Sequence, residues 1–288
     1  MSEINKQNIG KLFDVAEKYR PSGRPIITGE DDFDKAMDGG VRGGELITIS
    51  GGSGKGKTSW ALWLTKRIVD SGVPCLWFTY EMNPWYLKEK LVKLGANEEL
   101  AMFVPFNQEE AAYPWIKKII TEAVKEQNCG IVFIDHLHYL LPKFFEFTGE
   151  SITRPAAQAN TALLIGGIAR ALKQLAIELD ITIYLIAHSK RVNKDEKYSA
   201  DTIRDSALVS NESDYVYIVD RLKKKEKKGR NYEERMEAGE MQVEEEFTNI
   251  SKVTLDKNRR TGDLIHRLFQ VIDSKFDPVD KDKYKDYE

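Results

Sequence analysis

Eight consecutive residues, Gly51-Gly52-Ser53-Gly54-Lys55-Gly56-Lys57-Thr58, satisfy the spacing GxxxxGK[ST]. That spacing suits one ligand class, a nucleoside triphosphate. A glycine-rich turn can curl its backbone N–H groups around the β-phosphate, Lys57 can reach the β- and γ-phosphates, and the Thr58 hydroxyl can hold Mg2+. Hydrolysis needs two further groups, a carboxylate for the metal shell and a base for water. Asp135, directly after the apolar run Ile131-Val132-Phe133-Ile134, can orient the metal shell. Glu81, after Phe78-Thr79-Tyr80, is the candidate base, since Asp135 cannot take water's proton while coordinating metal. The bland alternative makes Glu81 a surface acid. His188 follows the apolar run Ile181 to Ala187. Its neutral ring either hydrogen-bonds the γ-phosphate or water, or is a satisfied histidine at a sheet edge. His136 and His138 stand at alternate positions beside Asp135, a spacing for a metal pair on a strand that lacks an evident third ligand.

These groups need a scaffold that delivers several strand ends to one edge. Glu45 to Ser50 reads as a strand leading into the glycine-rich turn, and Trp60, Leu64, Ile68 and Val69 mark the helix that the turn opens. Val73 to Tyr80, Ile131 to Ile134 and Ile181 to Ala187 are nearly continuous apolar runs, as strands covered on both faces should be. Leu164, Ile168, Leu172, Leu175 and Leu179 recur at helical spacing and predict an amphipathic helix lying on the sheet. Tyr215 to Val219, Ile250 to Leu255 and Ile265 to Ile272 are later strand candidates joined by shorter links. Strands alternating with helices, then strands following one another, predict an α/β fold with a largely parallel sheet ending in antiparallel strands. The expected organisation is an N-terminal arm over residues 1–25 with a short helix between Ile9 and Tyr19, one domain over 26–278, and a charged tail over 279–288. Asp273 to Glu288 as a whole reads as charged, with Pro278 breaking it.

Composition narrows the function classes. The 288 residues carry 43 Lys plus Arg against 46 Asp plus Glu, a net charge of -3. This excludes a wholly basic nucleic-acid coat, so any polyanion site must be local. One such surplus lies between Lys190 and Arg204, with five Lys or Arg against three Asp or Glu. Lys223 to Glu246 holds seven basic residues and eight Glu, an exposed insertion or a contact surface for DNA or a partner. Phe144, Phe145 and Phe147 are candidates for base stacking or for burial against the domain. Cys75 and Cys129 sit in apolar runs without CxxC spacing and read as buried free thiols. No run of about 18 apolar residues and no apolar leader occurs, which predicts a cytoplasmic protein without a membrane partner.

The order of these pieces resembles the motor domain of DnaB-type replicative helicases, within the RecA-like P-loop ATPases, from about Ile26 to Pro278. Gly29-Glu30-Asp31-Asp32-Phe33-Asp34-Lys35 and Gly39-Gly40-Val41-Arg42-Gly43-Gly44-Glu45-Leu46 are similar to the segment ahead of that family's phosphate loop. Thr79-Tyr80-Glu81-Met82 is similar to its Leu-Glu-Met signature, which implies that Glu81 is catalytic, and Asp135 matches the Walker B aspartate. His188 stands where bacterial members carry glutamine and phage helicase-primases carry histidine, which implies a γ-phosphate sensor. Ile203-Arg204-Asp205-Ser206-Ala207 resembles the stretch after the DNA-facing loop. Lys257-Asn258-Arg259 matches a Lys-x-Arg whose arginine enters the neighbouring subunit's site. Here Arg260-Thr261-Gly262 follows directly, without the usual glycine and proline, so the resemblance leaves Arg259 and Arg260 both open as the finger. It implies ATP and Mg2+ as cofactors, a hexameric ring, single-stranded DNA in its centre, and a primase or helicase loader as partner. The family's N-terminal primase-binding domain has no room in about 25 preceding residues. A RecA-like recombination or regulatory ATPase that does not unwind DNA is the second expectation. A non-hydrolysing ATP-binding assembly protein is the third.

Overall fold

The computed structural model describes residues 11–17, 20, 23–107, 112–140, 154–190, 197–203, 207–223 and 247–280. The basic part of the loop after Lys190, most of the charged block 223–246, Phe144, Phe145 and Phe147, Arg204 to Ser206, and the tail from 281 lie outside them.

Among the described residues a nine-stranded sheet runs in the order β3-β2-β4-β5-β1-β6-β7-β8-β9. Its parallel part consists of β1 (Leu46–Ser50), β2 (Cys75–Thr79), β3 (Met102–Phe103), β4 (Ile131–Asp135), β5 (Thr182–Ile186) and β6 (Tyr215–Lys223). The antiparallel part continues through β7 (Phe247–Asn258), β8 (Ile265–Ile272) and β9 (Lys275–Val279). Helices α1 (Leu12–Ala16), α2 (Asp31–Ala36), α3 (Lys57–Asp70), α4 (Pro84–Lys93), α5 (Tyr113–Gln127), α6 (Arg154–Leu179) and α7 (Ala207–Glu212) complete it.

All five residues of β1, β2, β4 and β5 are buried, because helices cover the sheet on both faces. On one face, Phe33 of α2, Trp60, Leu64 and Ile68 of α3, and Leu87 and Leu91 of α4 pack on Trp77, Phe133 and Tyr184. On the other, Ile116 and Ile120 of α5 and Ile165, Ile168, Leu172 and Leu175 of α6 pack on Leu76, Val132, Ile134 and Leu185. Period-2 alternation along each strand sends its residues to one cluster or the other. Cys75 and Cys129 are buried and free, as expected; burial pushes the Cys129 thiol up to about 11.

The C-terminal expectation is corrected. Lys275 to Val279 is not part of a tail but an edge strand, paired antiparallel with β8. Phe276 anchors it, with ring centroids 5.1 Å from Trp60 and 5.9 Å from Phe269. Pro278 is tolerated because an edge strand need not donate every backbone N–H to a neighbour. Charge alone hid the strand, since one buried aromatic supplies its anchor.

Candidate functional site

The phosphate-loop glycines are required by local geometry. Gly51 leaves β1 at φ 148°, and a Cβ there would lie 2.2 Å from the Val219 carbonyl oxygen. Gly56, at φ 97°, opens α3 in a left-handed conformation with no side-chain cap, the conformation that glycine adopts without steric cost. The fourteen-residue α3 therefore begins with backbone donors and its positive dipole end at the loop, a built anion site. Lys57 is buried, and its Nζ donates to the Gly52 carbonyl at 2.8 Å. Burial lowers its pKa, while the charges of Glu81 and Asp135 pull it back. Lys55 leaves the loop in another direction, ion-paired with Asp220 of β6 at 2.9 Å and 3.9 Å from the Phe247 ring centre.

The register explains why the acids meet this loop. Thr79 pairs with Asp135, Ile134 with Leu185, and Ile49 with Ile186. The carboxyl ends of β2, β4, β5 and β1 thus lie level along one sheet edge, where open α/β sheets bind ligands. Thr58 Oγ1 donates to Asp135 Oδ2 at 2.8 Å, while the buried Asp135 Oδ1 lacks a hydrogen-bond partner among the described residues. A hydroxyl oxygen touching a carboxylate, with a second carboxylate oxygen left over, is an oxygen donor set that fits Mg2+. Burial pushes the Asp135 carboxyl up to about 6; the Thr58 hydrogen bond opposes the shift, Glu81 adds to it and Lys57 opposes it.

Glu81 sits in a turn fixed from both sides. The Tyr80 N–H donates to the Asp135 carbonyl at 2.8 Å. Asn83 caps α4 by accepting from the Trp85 N–H at 2.9 Å, and Pro84 occupies the first turn, a favoured start for a helix. The Glu81 carboxylate is half exposed, with Oε2 3.8 Å from His136 Nε2. The His136 ring lies 4.4 Å from that of His188. Burial, helped by the neighbouring His188 and His138, pushes the His136 pKa down to about 3. His188 follows β5 directly, and the adjoining backbone ties it to the phosphate loop: the Ser189 N–H donates to the Gly51 carbonyl at 3.1 Å, and Ala187 to Ile49 at 3.0 Å. Lys57, Thr58, Glu81, Asp135 and His188 therefore gather at one edge.

Lys257 and Arg259 do not join them. Tyr215 pairs with both Ile47 and Asn258, which puts the turn after β7 at the amino end of β1, across the sheet from the phosphate loop. Lys257 Nζ donates to the Ser210 carbonyl at 2.5 Å. Arg259 Nη1 pairs with Asp214 Oδ1 at 3.1 Å and keeps a half-exposed side chain. Arg260 is more enclosed: it pairs with Glu45 and donates to the Met37 and Gly40 carbonyls. The acids facing the two arginines are thus Asp214 and Glu45. Asn258 holds the turn by donating to the carbonyls of Ala36 and Asp263 and to Thr261 Oγ1.

Three contributors carried no sequence signal. Tyr198 covers the loop, its hydroxyl 2.4 Å from where a Cβ on Gly52 would stand. Asp220 clamps Lys55, and Lys173 of α6 bridges Asp214 at 2.5 Å and the Gly44 carbonyl at 2.6 Å. Each lies far along the chain from its partner. The wide spacing of Asp214 and Glu45 from the arginines they meet concealed those pairs as well.

A family model for KaiC-type ATPases matches residues 26–143. No curated protein matches the chain by sequence. Among solved structures, the ATPase domain of G40P superposes with a TM-score of 0.66 at 18% identity, covering 93% of this chain and 96% of that one. A structure of a DnaB-like replicative helicase and its interactions with primase gives a TM-score of 0.67 at 19% identity, covering 96% and 69%. Both likenesses concern the fold, which is the RecA-like P-loop arrangement of a mostly parallel sheet with antiparallel strands at its end. The model for the DnaB-like helicase C-terminal domain matches residues 96–270, more than half of the sequence, and the chain belongs to that family of helicase ATPase domains.

Proposed function

We propose that the protein is an ATP-dependent DNA helicase that assembles as a hexameric ring and translocates on single-stranded DNA during replication, working in the cytoplasm with a primase or loader as partner. The observation that carries this reading is the division of the site between two sheet edges. Lys57, Thr58, Glu81, Asp135 and His188 occupy one, and Lys257 and Arg259 the other. A subunit so built completes its site only with a neighbour's opposite edge.

Lys57 and the start of α3 hold the ATP β- and γ-phosphates, and Thr58 with Asp135 holds Mg2+. When bound, the cation offsets charge on the phosphate oxygens. Glu81 accepts the proton of the attacking water, and His188 contacts the γ-phosphate. Arg259 of the next subunit exchanges Asp214 for phosphate oxygens, where its planar fork offers two donors. Arg260 is the weaker candidate, because three partners of its own subunit hold it. Hydrolysis reaches DNA through the backbone from Ser189, since the Lys190 N–H donates to the Thr202 carbonyl at 2.7 Å and closes the base of the basic loop.

Mixing Arg259→Ala with Lys57→Ala tests the composite site. Each protein alone should be inactive. An interface that joins the intact Arg259 of one to the intact Lys57 of the other should recover part of the ATPase. No recovery at any ratio, with subunit exchange confirmed, removes Arg259 from the neighbour's site; Arg260→Ala should keep ATPase activity by itself, and an inactive Arg260→Ala that Lys57→Ala rescues would move the role one residue along. The match to KaiC-type ATPases over residues 26–143 favours a second reading, a RecA-like ATPase that remodels a complex without unwinding. DNA-stimulated hydrolysis with no strand displacement on a forked duplex would select it.

A further inference from the structure

His136 has no part in the scheme above, yet it stands between the base and the sensor. One ligand atom from each of Glu81, His136 and His188 lies within 4.8 Å of the other two. His136 is nine-tenths buried; its Nε2 faces Glu81 Oε2 at 3.8 Å, and its Nδ1 has no hydrogen-bond partner among the described residues. A buried imidazole beside a second imidazole and a carboxylate forms a mixed nitrogen and oxygen donor set. Mg2+ prefers oxygens in an octahedral shell, whereas Zn2+ takes two histidines and a carboxylate in a tetrahedral one. Ligand atoms around Zn2+ stand about 3.3 Å apart, so the triad must contract by up to roughly 1.5 Å along its longest separation. Glu81 is half exposed at the end of a turn, where its side chain can turn toward the two rings.

The geometry points to a second cation site formed by Glu81, His136 and His188, separate from the Thr58 and Asp135 site, that takes Zn2+ and switches hydrolysis off. The inhibition, though not the binding, rests on the roles proposed for Glu81 and His188. A coordinated Glu81 carboxylate has given its lone pair to the metal and cannot accept water's proton. A coordinated His188 nitrogen can no longer contact the γ-phosphate. Three protein ligands leave a fourth position for water, so the ion can enter and leave from solvent.

The test uses the full chain and Zn2+ alone. Calorimetric titration in the absence of nucleotide should show one ion bound per subunit, and Co2+ in its place should give the intense visible bands of a four-coordinate centre. His136→Gln and Glu81→Gln should each weaken Zn2+ binding by more than about a hundredfold, beyond the loss that removing an outer partner causes. His138→Gln, outside the triad, should keep it. Glu81 is at the surface, so Glu81→Gln reads the site even where His136→Gln folds poorly. Added Zn2+ should inhibit the Mg2+-dependent ATPase of the wild type, with His136→Gln less sensitive relative to its own uninhibited rate. Failure to bind Zn2+, or binding that both triad substitutions leave unchanged, overturns the site. Equal loss in His138→Gln overturns the choice of ligands. Triad-dependent binding with undiminished hydrolysis overturns the switch, while triad-dependent binding to a protein without ATPase activity keeps the site and counts against the proposed function.

Discussion

Lys57 and Asp135 show how one residue carries structure and chemistry in opposition. Lys57 is a buried cation whose charge is favoured by two nearby carboxylates, so Lys57→Ala should abolish turnover by removing charge aimed at the phosphates. Glu81→Gln should behave differently, retaining ATP while slowing cleavage, because an amide can hydrogen-bond water but cannot accept its proton; nucleotide-binding and single-turnover measurements separate the two. Asp135 exposes the cost. Its carboxyl is pushed up to about 6 from 3.8, chiefly by burial. Between those values the folded chain holds a proton that the unfolded chain has released, so stability falls as pH rises through the window. The full penalty, roughly 3 kcal/mol, applies above about pH 6. Asp135→Asn should therefore raise the melting temperature of the metal-free protein at pH 8, with the gain shrinking toward pH 4, while ATPase activity is lost. Melts of both proteins across that range check the sign.

At the scale of elements, the turn between β7 and β8 and the strand β9 are held by a few side chains. Arg260 ties that turn to Glu45, just ahead of β1. Removing it leaves a poorly exposed carboxylate with the Arg42 N–H at 2.7 Å and the Tyr215 hydroxyl at 3.2 Å, but without its cation. Arg260→Ala should cost about 3 kcal/mol, and Arg260→Met with Glu45→Gln should recover most of it in a denaturant melt. Phe276 does for β9 what Arg260 does for the turn, through packing instead of charge. Phe276→Ala should cost about 3–5 kcal/mol and loosen β9, read as faster amide exchange over residues 275–279. If exchange there is unchanged, the aromatic cluster is not what holds the edge.

At the scale of the molecule, the proposed division of the site between two sheet edges would make activity a property of an assembly. In the proposed mechanism nucleotide binding uses one subunit's loop, whereas rapid hydrolysis requires the neighbour's Arg259. ATPase activity per subunit should therefore fall on dilution through the association range while nucleotide affinity changes little. A rate per subunit that stays constant as sedimentation shows the assembly dissociating would count against a shared site. Slight overall acidity, at a net charge of -3, would leave the DNA affinity of the proposed helicase to local basic segments. Added salt should then weaken DNA binding more strongly than nucleotide binding.

The sequence by itself determined the groups that follow from local rules. The phosphate loop is legible because its glycines and Lys57 act within eight residues. Asp135 and His188 are legible because buried parallel strands are apolar throughout and end in one direction. The strands β1, β2, β4 and β5 appear within a residue or two of their expected limits for the same reason, and β8, which is antiparallel and only partly buried, matches its expected limits as well. Local patterns underestimate β6 and β7, whose half-exposed ends mix charge with apolar residues, and they miss β9, where Phe276 is the anchor in a charged segment. Only the tertiary structure decided which distant groups meet. Asp214 faces Arg259, Glu45 faces Arg260, and Tyr198 covers Gly52 because the order and direction of the strands bring residues some 45 to 215 positions apart together, the first two pairs at one sheet edge and the third at the other. It also gave His136 and His188 their common neighbour in Glu81, at the ends of β2, β4 and β5, which lie side by side in the sheet although β3 falls between the first two in the chain. Periodicity records which face a side chain occupies; the neighbour across the sheet depends on strand order, and that is set by packing.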